Sequence, residues 1–248
     1  MPDIVGFRAK IAVIVPSTNT MVETDFNRVF GIPGVTFHAA RMYFEDPTLD
    51  SNDAFMRLLD RVDRAFETAV RDVLTCEPNY LVMGMSAPTF WGGRAGNAAF
   101  LQRARRLCGI GVTTGAEACS KALEALGARR IAVLTPYQPI MRAQIVRYFE
   151  ESGFTVVRSI DLQCPSATAI AAVTPDELRG VLREIDSPDV DAILQAGTNL
   201  SMVRLAAEAE GWLGKPVVAI NAALAWHAYR ANGFDDRLYD CGRLLSNY

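Results

Sequence analysis

The chain has 248 residues, half of them hydrophobic and 21% charged, enough to build a sizeable core and inconsistent with a disordered or fibrous polymer. Its 25 Lys and Arg against 28 Asp and Glu leave a net charge of -3, which gives no positive footprint for a nucleic acid. Five cysteines (Cys76, Cys108, Cys119, Cys164 and Cys241) lack CxxC spacing and clustered histidine, so neither a disulfide framework nor a metal site is expected.

The first apolar run, Ile11 to Val15, is too short for a signal segment and leads straight into Pro16-Ser17-Thr18-Asn19, so it predicts a buried strand and a turn. No export or membrane anchoring is expected, and a reducing cytoplasm is the simplest location. Val35 to Ala39 predicts a second strand. Asp50 to Leu74 predicts a helix, because Phe55, Leu58, Leu59, Val62, Phe66, Val70 and Val73 fall at helical spacing. Tyr80 to Met83 predicts a third strand, ending at Gly84-Met85-Ser86. A crossover is expected near Gly111 to Gly115, then a helix from Ala116 to Leu126 that stops at Gly127. Further strands are predicted at Ile131 to Leu134, Thr155 to Ile160, Ala192 to Leu194 and Val217 to Ile220, followed by a helix from Ala222 to Ala231. Strands alternating with helices specify an α/β fold with mainly parallel sheets.

An internal echo refines this. Lys10-Ile-Ala-Val-Ile-Val-Pro16 matches Arg130-Ile-Ala-Val-Leu-Thr-Pro136 at an offset of 120 residues, and strands ending at Gly84 and Gly197 follow at similar distances. The chain therefore reads as two pseudo-symmetric halves, residues 1–113 with 222–248 and residues 114–221. The C-terminal helix is expected to pack back on the first half. In open α/β sheets the ligand lies beyond the carboxyl ends of the strands. That rule selects Pro16, Ser17, Thr18, Asn19, Gly84, Met85 and Ser86 from the first half, and Thr135, Pro136, Tyr137, Gly197, Thr198 and Asn199 from the second. Hydroxyls, amides and helix N-termini converging in a cleft between the halves suit a carboxylate.

Three segments carry a family resemblance: VPSTNTMVETDF (Val15 to Phe26), FHAARM (Phe37 to Met42) and ALGARRIAVLTPY (Ala125 to Tyr137) resemble maleate cis-trans isomerases of the aspartate/glutamate racemase superfamily. The resemblance implies two flavodoxin-like halves with the active site between them, a homo-oligomer, no metal or organic cofactor, and small carboxylate substrates. Family isomerases and racemases carry a cysteine at the end of the third strand of each half, where a thiolate abstracts a carbon-bound proton or adds to a double bond. Here those positions read Gly84 and either Gly197 or Thr198. The arylmalonate decarboxylase branch also has glycine at the first position, followed by two hydroxyl residues; Gly84-Met85-Ser86 resembles that loop but keeps only Ser86. That branch retains the second-half cysteine as its proton donor, which this chain lacks.

The expected chemistry is therefore enolate or oxyanion stabilisation on a small carboxylate or related carbonyl compound, with decarboxylation or another lyase step favoured. Ser86, Thr198 and Tyr137 are the candidate catalytic groups, with Tyr137 a weak acid able to donate a proton. Cys164, on the loop past the Thr155 strand, is the only cysteine with a route to the cleft. The alternatives are a maleate isomerase-like or racemase-like isomerase, a hydrolase of an amide or cyclic imide, and a carboxylate-binding protein without turnover. Each residue also has a structural reading: Thr18, Asn19, Ser86 and Thr198 as helix caps, Tyr137 as a hinge aromatic, Cys164 as a small buried hydrophobe. Phe90 and Trp91 fit either an aryl pocket or the core. Gly92 to Gly96 lacks the ending of a phosphate loop, and His38, His227 and the other four cysteines read as structural, Cys241 in a tail.

Overall fold

The computed structural model describes residues 3–45 and 51–248. In the first half, β1 (Ala9–Pro16), α1 (Met21–Arg28), β2 (Val35–Met42), α2 (Asn52–Leu74), β3 (Tyr80–Met83), α3 (Ala87–Phe90), α4 (Gly93–Cys108) and β4 (Gly111–Thr113) follow in order. The second half begins with α5 (Gly115–Ala125) and β5 (Arg130–Thr135) and continues through α6 (Pro139–Glu151), β6 (Thr155–Asp161), a short 3-10 turn at Ala169–Ala172, α7 (Pro175–Ile185), β7 (Ala192–Gln195), α8 (Val203–Leu213) and β8 (Val217–Ala219). Helices α9 (Ile220–Ala231) and α10 (Arg243–Asn247) close the chain.

Every strand pairing among the described residues is parallel, and the two four-stranded sheets repeat one order, β2-β1-β3-β4 and β6-β5-β7-β8. The sequence echo thus marks equivalent strands: β1 and β5 each lie between the second and third strands of their own sheet. Covered by helices on both faces, β1 is buried along its whole length and from Ile11 onward reads as an unbroken apolar run rather than an alternating one. α2 buries Leu58, Val62, Phe66, Val70 and Val73 at the predicted spacing; its predicted start at Asp50, like the Phe55 side chain, lies outside the described residues.

The segment expected to be only a crossover, near Gly111 to Gly115, contains a strand. Three residues are too few for a periodic signal, yet β4 pairs with β3 throughout, and Gly111 is required there because a Cβ would sit 2.4 Å from the Tyr80 ring. Ile220 begins α9 rather than ending β8. α5 and α9 pack against each other between the sheets, and α9 reaches β3, β4 and α1. Cys241 is not in a loose tail: it is buried beside Val29, and α10 packs on α9.

Candidate active site

The loops after β1, β3, β5 and β7 meet around a cavity of about 40 Å³, room for roughly one or two water molecules. Pro16, Thr18, Asn19, Met85, Tyr137, Thr198 and Asn199 line it, bringing together seven of the residues selected from strand ends. Phe44, Leu58, Ala87, Ala167 and Ile170 complete the wall. Sequence reasoning missed these five as site residues. Leu58 was visible only as part of a helix's buried face, and nothing local brings α2, the β2 exit and the 3-10 turn to one place.

Asn19 serves both of its sequence readings. Its Oδ1 accepts from the backbone N–H groups of Met21 and Val22 (both 3.0 Å), capping α1, while its Nδ2 points to Thr198 Oγ1 at 3.4 Å. The Thr20 N–H is held by Asn199 Oδ1 at 3.0 Å, and Asn199 Nδ2 donates to the carbonyls of Ala167 (2.9 Å) and Thr18 (3.4 Å). These bonds stitch the two halves together across the cleft. They also occupy the first N–H groups of α1, so that helix end serves the protein rather than a ligand. Arg41 braces the same loop from outside, donating to the carbonyls of Ser17 and Asn19 (both 2.8 Å) and pairing with Glu23.

Ser86 is fully buried behind the cavity and shares a hydrogen bond of 2.6 Å with the Tyr137 hydroxyl. Burial pushes the Tyr137 pKa up to about 12, against the lowering effect of the Ser86 bond. The phenol is therefore protonated at neutral pH and can donate a proton, but it is no base there. The lining side chains are all uncharged, so an anion in this cavity is held by hydroxyls, carboxamides and backbone dipoles.

Other selected residues occupy supporting positions. The Ser17 side chain exchanges hydrogen bonds with the Phe44 backbone, and its N–H donates to the Met42 carbonyl at 2.7 Å, so this amide is committed to the fold. Gly84 donates to the Ile14 carbonyl; a Cβ there would lie 2.9 Å from that oxygen and from Val15 Cγ1. At Gly197 a Cβ would lie 2.4 Å from the Pro136 ring. Both glycines are thus hemmed in where thiols would be sought. Cys164 lines an outer groove between the β6 exit and α7, and burial raises its pKa, which disfavours a thiolate. Phe90 is core, packed on Tyr148 and Phe149, whereas Trp91 is half-buried and lines a separate surface groove with Phe100. Among the described residues no group of three or more His, Cys, Asp or Glu is placed to hold a metal ion.

Two sheets of repeated strand order, with a cleft at their carboxyl edges, form the fold, and the family and relatives that the sequence matches place this chain in the aspartate/glutamate racemase superfamily. The arylmalonate decarboxylase family matches residues 11–245, and the chain belongs to that family. It is 28% identical to the maleate isomerase of Pseudomonas putida, over 96% of this chain and 97% of that protein. Identity to the arylmalonate decarboxylase of Bordetella bronchiseptica is also 28%, over 90% of both. The same fold is seen in a Nocardia farcinica maleate cis-trans isomerase bearing a covalent succinylcysteine intermediate, with a TM-score of 0.88 at 23% identity over 96% of this chain and 98% of that one.

Proposed function

We propose that this protein is a cofactor-independent enzyme that removes CO₂ from a small carboxylate, or performs a related lyase step, by stabilising an enolate between the four loops, which part to admit a substrate larger than the closed cavity of about 40 Å³. The observation that carries this reading is the buried Ser86–Tyr137 pair at 2.6 Å, which sets a protonated phenol in a cavity lined by neutral donors. The scissile C–C bond breaks, its electron pair forms the enolate, and CO₂ departs without a protein base. Tyr137 then gives its proton to the carbanionic carbon, and water returns one to the phenolate. Thr18, Asn19 and Thr198 supply dipoles to the developing charge.

Maleate isomerisation is the second reading, favoured by the Pseudomonas relative. The resemblance ties that reaction to a cysteine at the first glycine position, and here Gly84 is packed against the Ile14 carbonyl. The test is incubation with substituted malonates, maleate, amino-acid enantiomers and cyclic imides in D₂O, followed by proton NMR. Loss of CO₂ with deuterium at the α-carbon is expected. Y137F and S86A should each lower turnover by about 10²- to 10³-fold, the usual effect of deleting one such donor. Fumarate from maleate would establish the second reading instead, and specific line broadening of one carboxylate without product would leave a binding protein.

A further inference from the structure

Behind the cavity, α1, the loop after β7 and the first turn of α9 meet in a buried polar cluster outside the lining. Asn221, 2% exposed, donates through Nδ2 to the Asp25 carboxylate at 2.8 Å and to the Thr198 carbonyl at 3.0 Å. Both neighbours are acceptors, which fixes the carboxamide orientation and leaves Oδ1 buried without a partner among the described residues. The backbone bonded in this way belongs to Thr198, whose side chain lines the cavity and meets Asn19. Asn19 in turn caps the helix that carries Asp25.

We infer that Asp25 is a positioning residue, whose carboxylate orients Asn221 so that Asn221 holds Thr198 in the cavity wall. The relay stands on its own geometry; only its effect on turnover rests on the lyase reading. A carboxylate is a pure acceptor and requires the donor end of Asn221 to face it. Protonation turns Asp25 into a donor, the unpartnered Oδ1 of Asn221 can swing round to accept that proton, and the Thr198 carbonyl then loses its bond. Burial pushes the Asp25 pKa up to about 6, with Asn221 and Arg204 of α8 pulling it back. Cys241 also faces it, and burial raises the pKa of that thiol, which stays neutral in this range; on α9, Tyr229 donates to the Phe30 carbonyl and is likewise raised by burial. Glu23, on α1 itself, is half-exposed and paired with Arg41.

The experiment is an NMR titration of the labelled full chain from pH 5 to 8, following Asp25 Cγ, the Asn221 side-chain amide and the Thr198 backbone amide. One shared step centred near pH 6 is expected at all three, and the Thr198 step should vanish in D25N with the rest of the spectrum unchanged. In N221A, Asp25 should still titrate while Thr198 stays flat. A flat Thr198 signal while wild-type Asp25 titrates, or an undiminished step in N221A, overturns the inference. With a turned-over substrate, kcat should fall at least several-fold below pH 6 in the wild type and lose that limb in D25N. Failure of every substrate would remove the lyase reading and leave the titration to decide this one.

Discussion

At the scale of single residues, the cavity and the polar cluster behind it hold groups whose protonation is controlled by burial more than by opposite charge. Asp25 is the sharpest case. Its raised pKa means that between about pH 4 and 6 the folded chain binds a proton that the unfolded chain has already released, so stability falls as pH rises through that window. Above pH 6 the buried charge carries its full penalty. D25N should therefore raise stability at pH 7.5 by roughly 1–3 kcal/mol, with the gain shrinking towards pH 4, as checked by urea unfolding at several pH values. Tyr137 makes the complementary prediction: because burial lifts it to about 12, the ultraviolet phenolate difference between wild type and Y137F should develop only above about pH 11.

At the scale of elements, the strand-end loops are shaped by what the glycines permit. Gly84 closes β3 against the Ile14 carbonyl and the side chains of Val15 and Val22, and Gly197 closes β7 against Pro136. Restoring a side chain at either place forces backbone or ring to move. G84C and G197A should each cost about 1–3 kcal/mol, G197A the more because a proline ring cannot turn aside, and G84C should gain no maleate isomerisation. Calorimetry and the maleate assay check the two halves of this prediction. The helices also show which sequence signals were sufficient. Gly127 ends α5 in the left-handed conformation that its position after Leu126 implied. β4 carried no such signal, since a three-residue strand exists only through its pairing with β3.

At the scale of the whole molecule, the cleft is held closed by bonds that cross between the halves: Asn19 to Thr198, Asn199 to the Thr18–Thr20 loop, Asn221 to Asp25, and Ser86 to Tyr137. The thiols stand outside this set. Cys108, Cys119, Cys164 and Cys241 are buried and Cys76 is half-buried with its thiol on the Val73 carbonyl. Alkylation of the native protein should modify Cys76 first and leave turnover unchanged, as judged by mass mapping beside the activity assay. Loss of activity that substrate prevents would implicate Cys164 and remove Tyr137 as the proton donor.

The strand pattern, the 120-residue echo and the loop residues Pro16 to Asn19, Met85, Ser86, Tyr137 and Thr198 were legible in the sequence, because parallel strands are continuous apolar runs and ligand loops follow their carboxyl ends. The resemblance in the three quoted segments named the superfamily. What only the tertiary structure decided is which atoms meet. Asn19 is both cap and wall, Ser17 faces the fold, Cys164 faces an outer groove, and Phe44, Leu58 and Ile170 close a cavity to which no local signal assigns them. Asp25 and Asn221 lie 196 residues apart and become partners only when α9 returns to the first half. Local sequence encodes periodicity and turn chemistry, whereas pairings of this length are set by how the two sheets and their helices pack.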